Sequence, residues 1–299
     1  MSSYHDAVLL AESVDGLNVV EGGVYVDVTF GGGGHSRRIL ERLGEGKLIA
    51  FDQDSDTDAN TIEDERVLMV RQNFRYLTNF LKLYNALPIQ GLLADLGVSS
   101  HQFDEKGRGF SIRFDARLDM RMNTGGAVDA EKVVNEYTED QLVRIFRNYG
   151  EVPNARRLAK VVVDKRSEKA IRTVFDLKEA IAVCSPKRKE QQYLAKVFQA
   201  IRIEVNDELE ALKELLKQSC EALAPGGRLV VISYHSLEDR LVKNFIRSGN
   251  FEGELEKDFY GNIIKPMDAI NRKVIVPSDE EIARNPRARS AKLRIAVKK

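Results

Sequence analysis

The chain has no tryptophan, only two cysteines, seven prolines and four histidines in 299 residues. Cys184 and Cys220 are too few for a disulfide framework or a zinc cluster, so a reducing compartment is expected. His5, His35, His101 and His235 have no ligand spacing among themselves, with the cysteines or with acids, and no metal site is expected. No apolar run approaches the ~20 residues of a membrane-spanning helix. Met1-Ser-Ser-Tyr-His-Asp lacks the basic and apolar blocks of a secretion signal. The expectation is a cytoplasmic protein with no membrane association. No repeat, low-complexity tract or proline-rich linker interrupts the chain.

Net charge is also missing, but the zero hides an asymmetry. Between Glu105 and Ala200 there are 20 lysines and arginines against 14 acids, a net of +6, so the remainder carries −6. Arg284 to Lys299 holds seven basic residues and no acid. A basic middle and a basic tail on a neutral chain suggest a local footprint for a polyanion such as nucleic acid, against the blander reading of solvated helix faces.

What is present is an alternation. Val24 to Val28, Lys47 to Phe51, Val67 to Val70 and Ile89 to Ala94 read as strands, with helices over Ser36 to Leu43 and Phe74 to Tyr84. That order predicts a parallel sheet covered on both faces. The pattern breaks from Gln102 to about Gly126, rich in Arg, Asp and Gly. Helical periodicity follows. Thr138 with Gln141 predicts a capping box, and Asn154 to Val163 and Val174 to Val183 read as further helices. The α/β pattern then resumes. Val205, Leu209, Leu212, Leu216 and Leu223 predict one long amphipathic helix, ended by Ala224-Pro-Gly-Gly227. Arg228 to Ser233 reads as a fifth strand and Leu237 to Ile246 as a helix. Gly249 to Ala269 reads as loop, and Lys273 to Val276 and Leu293 to Val297 as closing strands. The organisation predicted is one α/β domain, residues 1–104 and 196–299, interrupted by a helical insertion at 105–195.

The strongest local signal is Val24-Tyr-Val-Asp-Val-Thr-Phe-Gly-Gly-Gly-Gly34-His35. Glycines between a strand and a helix let the backbone turn sharply and approach a ligand. Asp52 ends the next strand, where an acid can accept hydrogen bonds from ribose hydroxyls. A P-loop would need Gly-Lys-Ser/Thr, which is absent. Asp27 before the glycines and Asp95 after strand four add carboxylates to the same sheet edge. That suits S-adenosylmethionine, with its ammonium and sulfonium, better than a pyrophosphate. Taken singly, either acid reads equally well as a helix cap.

Further motifs run along the chain: His5 to Glu12, Thr29 to Ser36, Asp95-Leu-Gly-Val-Ser-Ser100, Arg108-Gly-Phe-Ser111, Leu118-Asp-Met-Arg-Met122, Phe198 to Asn206, His235-Ser-Leu-Glu-Asp-Arg240 and Asn285-Pro-Arg-Ala-Arg-Ser290. With these the sequence resembles the bacterial 16S rRNA (cytosine-N4)-methyltransferase family. The resemblance implies a class I (Rossmann-like) methyltransferase sheet with an inserted helical domain for RNA recognition. It also implies methylation of the exocyclic amine of a decoding-centre cytidine. The cofactor contacts it implies are Gly33, Gly34, His35, Asp52, Phe74, Asp95 and Gln102. Its partner would be 16S rRNA, in a small ribosomal subunit or late assembly intermediate, with a homodimer left open. Two positions depart from the family pattern: Val28, beside the glycine loop, and Ala116-Arg117, before Leu118.

An exocyclic amine must lose a proton and lie in line with the methyl group it attacks. Acceptors near that place are Asp95, Ser99, Ser100 and His235, with no choice among them. His235 also reads as a structural strand-end residue, and Ser236 with Asp239 as a helix cap. Cys184 and Cys220 read as small buried hydrophobes rather than nucleophiles. Arg113, Arg117, Arg121, Arg156, Arg157, Lys160, Arg287 and Arg289 are candidate phosphate contacts. Phe110 and Phe114 read as core or as base-stacking residues. Competing readings are a methyltransferase of a small molecule or a protein, or a non-catalytic RNA-binding ribosome-assembly protein. The glycine loop and Asp52 argue against the latter.

Overall fold

The computed structural model describes residues 7–54, 57, 60–98, 103, 105 and 107–299. Two compact units emerge, Met1–Gly97 with Leu209–Lys299, and Val98–Glu208. No helix among the described residues is long and apolar enough to cross a membrane.

In the first unit, seven strands form one sheet: β1 Val24–Asp27, β2 Lys47–Phe51, β3 Val67–Val70, β4 Ile89–Asp95, β5 Leu223–Ser233, β6 Met267–Ala269 and β7 Lys292–Lys298. Their order is β3-β2-β1-β4-β5-β7-β6. β1 to β5 pair in parallel, while β7 runs antiparallel to both β5 and β6. Five parallel strands with an antiparallel β7 form the sheet that the sequence resemblance implies.

Successive residues of β4 show why the strands read as continuous apolar runs. Leu92 packs with helices α3 (Leu77–Leu83), α9 (Glu208–Ala222) and α10 (Ser236–Ser248), while Leu93 packs on the other face with α1 (Leu10–Leu17) and α2 (Gly34–Leu43). A sheet buried on both sides cannot alternate polar and apolar residues. Each fully buried leucine contributes about 1.5–3 kcal/mol from apolar area removed from water.

The second unit is helical: α4 Ala130–Glu136, α5 Glu139–Asn148, α6 Ala155–Glu168, α7 Val174–Ile181 and α8 Glu190–Asn206. The capping box at Thr138 and Gln141 opens α5 as expected. Phe110 lies in this unit's core, whereas Phe114 is 40% exposed.

Three readings need correction. Val205 belongs to α8, and the long helix is two helices broken at Asp207, whose φ is +51°. The boundary of the insertion therefore lies at 208 rather than 195, because Tyr193, Leu194, Val197 and Ile201 of α8 are buried in the helical core. The sixth strand is Met267–Ala269, inside the segment read as loop, while Lys273 to Val276 contributes only a bridge from Ile275 to Leu293. Apolar Met267, at 0% exposure, was the available signal.

Candidate active site

The sheet order reverses direction between β1 and β4, with β2 and β3 on one side and β5 on the other. Open α/β sheets form their ligand crevice at such a point, outside the carboxyl ends of the strands. Asp27 and Asp95 end the two strands there, and Asp52 follows β2.

The three acids have different surroundings. Asp27 is fully buried. It accepts from the Ser36 hydroxyl at 2.7 Å and the Thr29 amide at 3.1 Å. Thr29 Oγ1 in turn accepts the Asp95 amide at 2.6 Å, so this acid ties the glycine turn to β4. Burial raises its pKa and these hydrogen bonds oppose the rise. Asp27 is a structural tie rather than an acid facing a ligand.

Asp52 accepts from the Gly31 amide at 2.8 Å and the Asp54 amide at 2.9 Å. Burial pushes its carboxyl up to about 6, against those bonds, with Asp54 and Asp27 adding repulsion. One amide per oxygen leaves further lone-pair directions for hydroxyl donors.

Asp95 has the barest carboxylate. Its Oδ1 accepts from the Tyr234 hydroxyl at 2.8 Å. Its Oδ2 lies 3.9 Å from His35 Nδ1, and its side chain is 22% exposed. Burial raises it to about 6, while His35 and the Tyr234 hydrogen bond lower it and Asp27 and Glu238 raise it further.

His35 is buried, with Nε2 3.1 Å from the Val8 carbonyl. A carbonyl can only accept, so Nε2 carries the proton and neutral His35 turns a bare Nδ1 toward Asp95. Burial keeps this imidazole below its usual pKa, with Asp95 and the Val8 carbonyl acting the other way. Two acceptors thus converge on one point, an arrangement that suits a cationic N–H donor.

Two glycines of the turn leave no room for side chains. Gly33 has φ +74°, and a Cβ there would lie 2.9 Å from the Phe30 ring. A Cβ on Gly34 would lie 2.9 Å from that of Ala7. Val28, the departure beside this turn, is buried and donates its amide to Leu93 at 2.9 Å, so strand pairing continues past it.

Phe74 opens a short 3-10 helix after β3 and is half-buried. The preceding Asn73 donates to Gln53 at 2.8 Å, which links this segment to the end of β2. Ser99, Ser100 and Gln102 lie outside the described residues. His235 caps α10: its Nδ1 accepts the Glu238 amide at 3.4 Å, and Glu238 accepts the His235 amide in return. The capping residue is therefore His235, not Ser236. Asp239 instead accepts from Arg294 at 2.7 Å and pairs with Lys292 at 3.3 Å.

Sequence reasoning missed Tyr234. The signal was its place: β5 pairs Ile232 with Asp95, and Tyr234 follows two residues later with a polar tip on a half-buried ring. Both cysteines are held as thiols. Burial raises Cys184, on the 3-10 turn after α7, and pushes Cys220 up to about 11. Neither is an activated nucleophile.

In the helical unit the basic candidates divide. Arg117 pairs with Asp129 at 2.6 Å and Glu131 at 3.1 Å. The departure Ala116-Arg117 is bridged to Thr173 and Val174. Arg121 grips Asp119 through two bonds of 2.8 and 2.7 Å. Arg156, Arg157 and Lys160 are exposed along α6, and Arg113 is exposed in the segment before α4. In the first unit, Arg287 and Arg289 are exposed on a 3-10 turn before β7.

The model of the MraW methylase family matches residues 2–299. The ribosomal RNA small subunit methyltransferase H of Parabacteroides distasonis is 58% identical over 99% of this chain and 98% of that protein. Its namesake in Christiangramia forsetii is 57% identical over 100% of this chain and 99% of that one. Among solved structures, an rRNA methylase from Streptococcus thermophilus is 12% identical, with a TM-score of 0.44 over 96% of this chain and 94% of that chain.

Proposed function

The chain belongs to the MraW methylase family, and from that premise we infer that it methylates the N4 amine of a decoding-centre cytidine in 16S ribosomal RNA. It is an S-adenosylmethionine-dependent methyltransferase acting on small-subunit rRNA. The observation that carries the cofactor reading is the switch-point edge, where Asp52 and Asp95 have no lysine or arginine partner among the described residues. Carboxylates so placed favour a ligand bearing an ammonium and a sulfonium.

In this reading Asp52 accepts from ribose hydroxyls, Phe74 packs against the base, and Gly33 and Gly34 let the backbone approach. His35 and Asp95 receive the ammonium, and Gln102 completes the set. S-adenosylmethionine, when bound, supplies an electrophilic methyl group. The chain's own task is then to orient the cytosine amine and take its proton. Asp95, ionised beside the ammonium, is only a weak base, but the amine becomes strongly acidic only as its new N–C bond forms, so a weak base placed beside it suffices. Tyr234 holds Oδ1 and so fixes the carboxylate. Ser99 and Ser100 remain candidates, whereas the capping role of His235 makes it the weaker one.

Exposed Arg113, Arg156, Arg157 and Lys160 of the insertion, with Arg287 and Arg289, take RNA phosphates. Arg117 and Arg121 contribute less, being engaged with carboxylates. The enzyme works in the cytoplasm, on a small-subunit particle or late assembly intermediate. Nucleoside mass spectrometry of 16S rRNA incubated with the protein and labelled cofactor tests the reading. N4-methylcytidine is expected. 5-Methylcytidine, or a stable adduct with 5-fluorocytidine RNA, would overturn it.

A further inference from the structure

Phe259 and Tyr260 are the most exposed large apolar side chains among the described residues, at 97% and 86%. Their rings meet edge to face, with centroids 5.6 Å apart. They stand at the tip of a hairpin in which Lys257 bridges Ile263, and the Ile264 amide bonds the Glu256 carbonyl at 2.9 Å. Asp258 ties the tip: its carboxylate accepts the amides of Tyr260 and Asn262 at 2.9 and 2.8 Å, and the Asn262 side chain at 3.1 Å. At its foot, Asn250 accepts the amides of Gly253 and Glu254. A groove of about 420 Å³ opens there beside Glu256, Ile264 and Lys265. None of these residues takes part in the methyl-transfer site.

The charge around the rings has one dominant sign. Glu252, Glu254, Glu256 and Asp258 are all exposed on this segment. Against them stand Lys257 and Lys265, the latter paired with Asp268 at 2.9 Å, while Lys213 and Lys217 lie over the Phe251 ring at the foot, 5.9 and 5.6 Å from its centroid. We propose that this hairpin is a docking surface for a Lys/Arg-rich segment of a partner protein. Aromatic faces attract guanidinium and ammonium groups, and the flanking carboxylates add attraction that is screened by salt. The tied turn loses little conformational freedom on binding. An RNA strand is the poorer occupant, because its phosphates meet the same four carboxylates. The proposal rests on the small-subunit reading: proteins bound to RNA carry basic segments to neutralise phosphates, so a ribonucleoprotein substrate offers the partner.

The test compares intact small-subunit particles with 16S RNA extracted from the same particles, using labelled full-length enzyme. The variants are Phe259→Ser with Tyr260→Ser, and Glu254→Gln with Glu256→Gln. Both should weaken binding to particles by about tenfold, the effect of losing a central aromatic or charged contact. Binding to extracted RNA and the melting temperature should be unchanged. Equal weakening on RNA would make the pair a base-stacking platform and overturn the proposal. Loss of self-association in sedimentation would assign the surface to a second copy and overturn it equally, as would unchanged particle binding. Nucleoside analysis of the wild-type reaction reads the substrate assignment separately. Enzyme that methylates the RNA but binds particles unaltered by either substitution rejects the docking surface alone.

Discussion

The helical unit and the sheet edge of the first unit treat buried acid in opposite ways. In the helical unit the half-buried or buried acids have cationic partners: Asp119 with Arg121, Asp129 with Arg117, Glu204 with Arg144, and Glu208 with Arg202. Asp119 and Asp176 are held below their ordinary pKa; burial opposes this at Asp119, where the Arg121 hydrogen bonds outweigh it, and at Asp176 the Lys169 hydrogen bond is the largest cause. At the sheet edge of the first unit, Asp27, Asp52 and Asp95 are all raised, with burial the largest cause. Among the described residues, the basic group that faces Asp95 is a histidine whose pKa burial lowers. A folded chain ordinarily neutralises buried charge. The helical unit does so internally, and that is structural electrostatics. The sheet edge has no such internal partner, and that is the character the proposed cofactor site requires.

The largest effect should come from Asp52→Ala. It should weaken S-adenosylmethionine binding by about 1.5–3 kcal/mol, the range for hydrogen bonds to a charged group, read by calorimetry. Unchanged affinity in a folded variant would remove Asp52 from the site. The counterpart in the helical unit is Arg121→Ala, which strands Asp119. It should lower stability by roughly 1–3 kcal/mol in denaturant titration, toward the lower end because the pair is partly exposed. Cofactor affinity should not change. If instead Arg121→Ala changed affinity and left stability alone, the contrast between the units would collapse.

Replacing Arg156, Arg157 and Lys160 together should weaken RNA binding and reduce the log–log salt slope by about 0.7–0.9 per lost phosphate contact. An unaltered slope would make them a solvated helix face. Tyr234→Phe should be milder, about 0.5–1.5 kcal/mol in cofactor affinity at neutral pH. Because the lost hydroxyl lowers the Asp95 pKa, the variant's affinity should recover as pH rises. A loss equal at every pH would reduce Tyr234 to packing. The smallest effect belongs to Cys184→Ala with Cys220→Ala, in which turnover should persist. Abolished turnover in a folded double variant would place a thiol at the centre of the chemistry.

The parallel strands, the glycine turn and the spaced acid at Asp52 were legible because each rests on local pattern. So was the basic character of α6. What stayed hidden depends on tertiary placement. Only the β4–β5 register brings the Tyr234 hydroxyl to Asp95. The left-handed Asp207 splits what the heptad-like leucines present as one helix. Among the eight basic residues singled out, composition cannot separate Arg121, locked to Asp119, from exposed Arg156. The role of Asp27 was equally ambiguous until Ser36 and Thr29 were found on its two oxygens.

The contrast also has a pH sign. An acid raised from 3.8 to about 6 on folding stabilises the protein fully below the unfolded value, and that stability is lost as pH rises through 6. A cation bound beside Asp52 and Asp95 must favour their ionised forms and expel protons. Calorimetry of S-adenosylmethionine binding at pH 6, in buffers of different ionisation enthalpy, counts those protons directly. Net release approaching about one proton at pH 6, falling away above pH 7, is expected from two half-ionised carboxylates. Proton uptake at pH 6, or no linkage at all, would contradict the claim that this sheet edge is a site for a cationic cofactor.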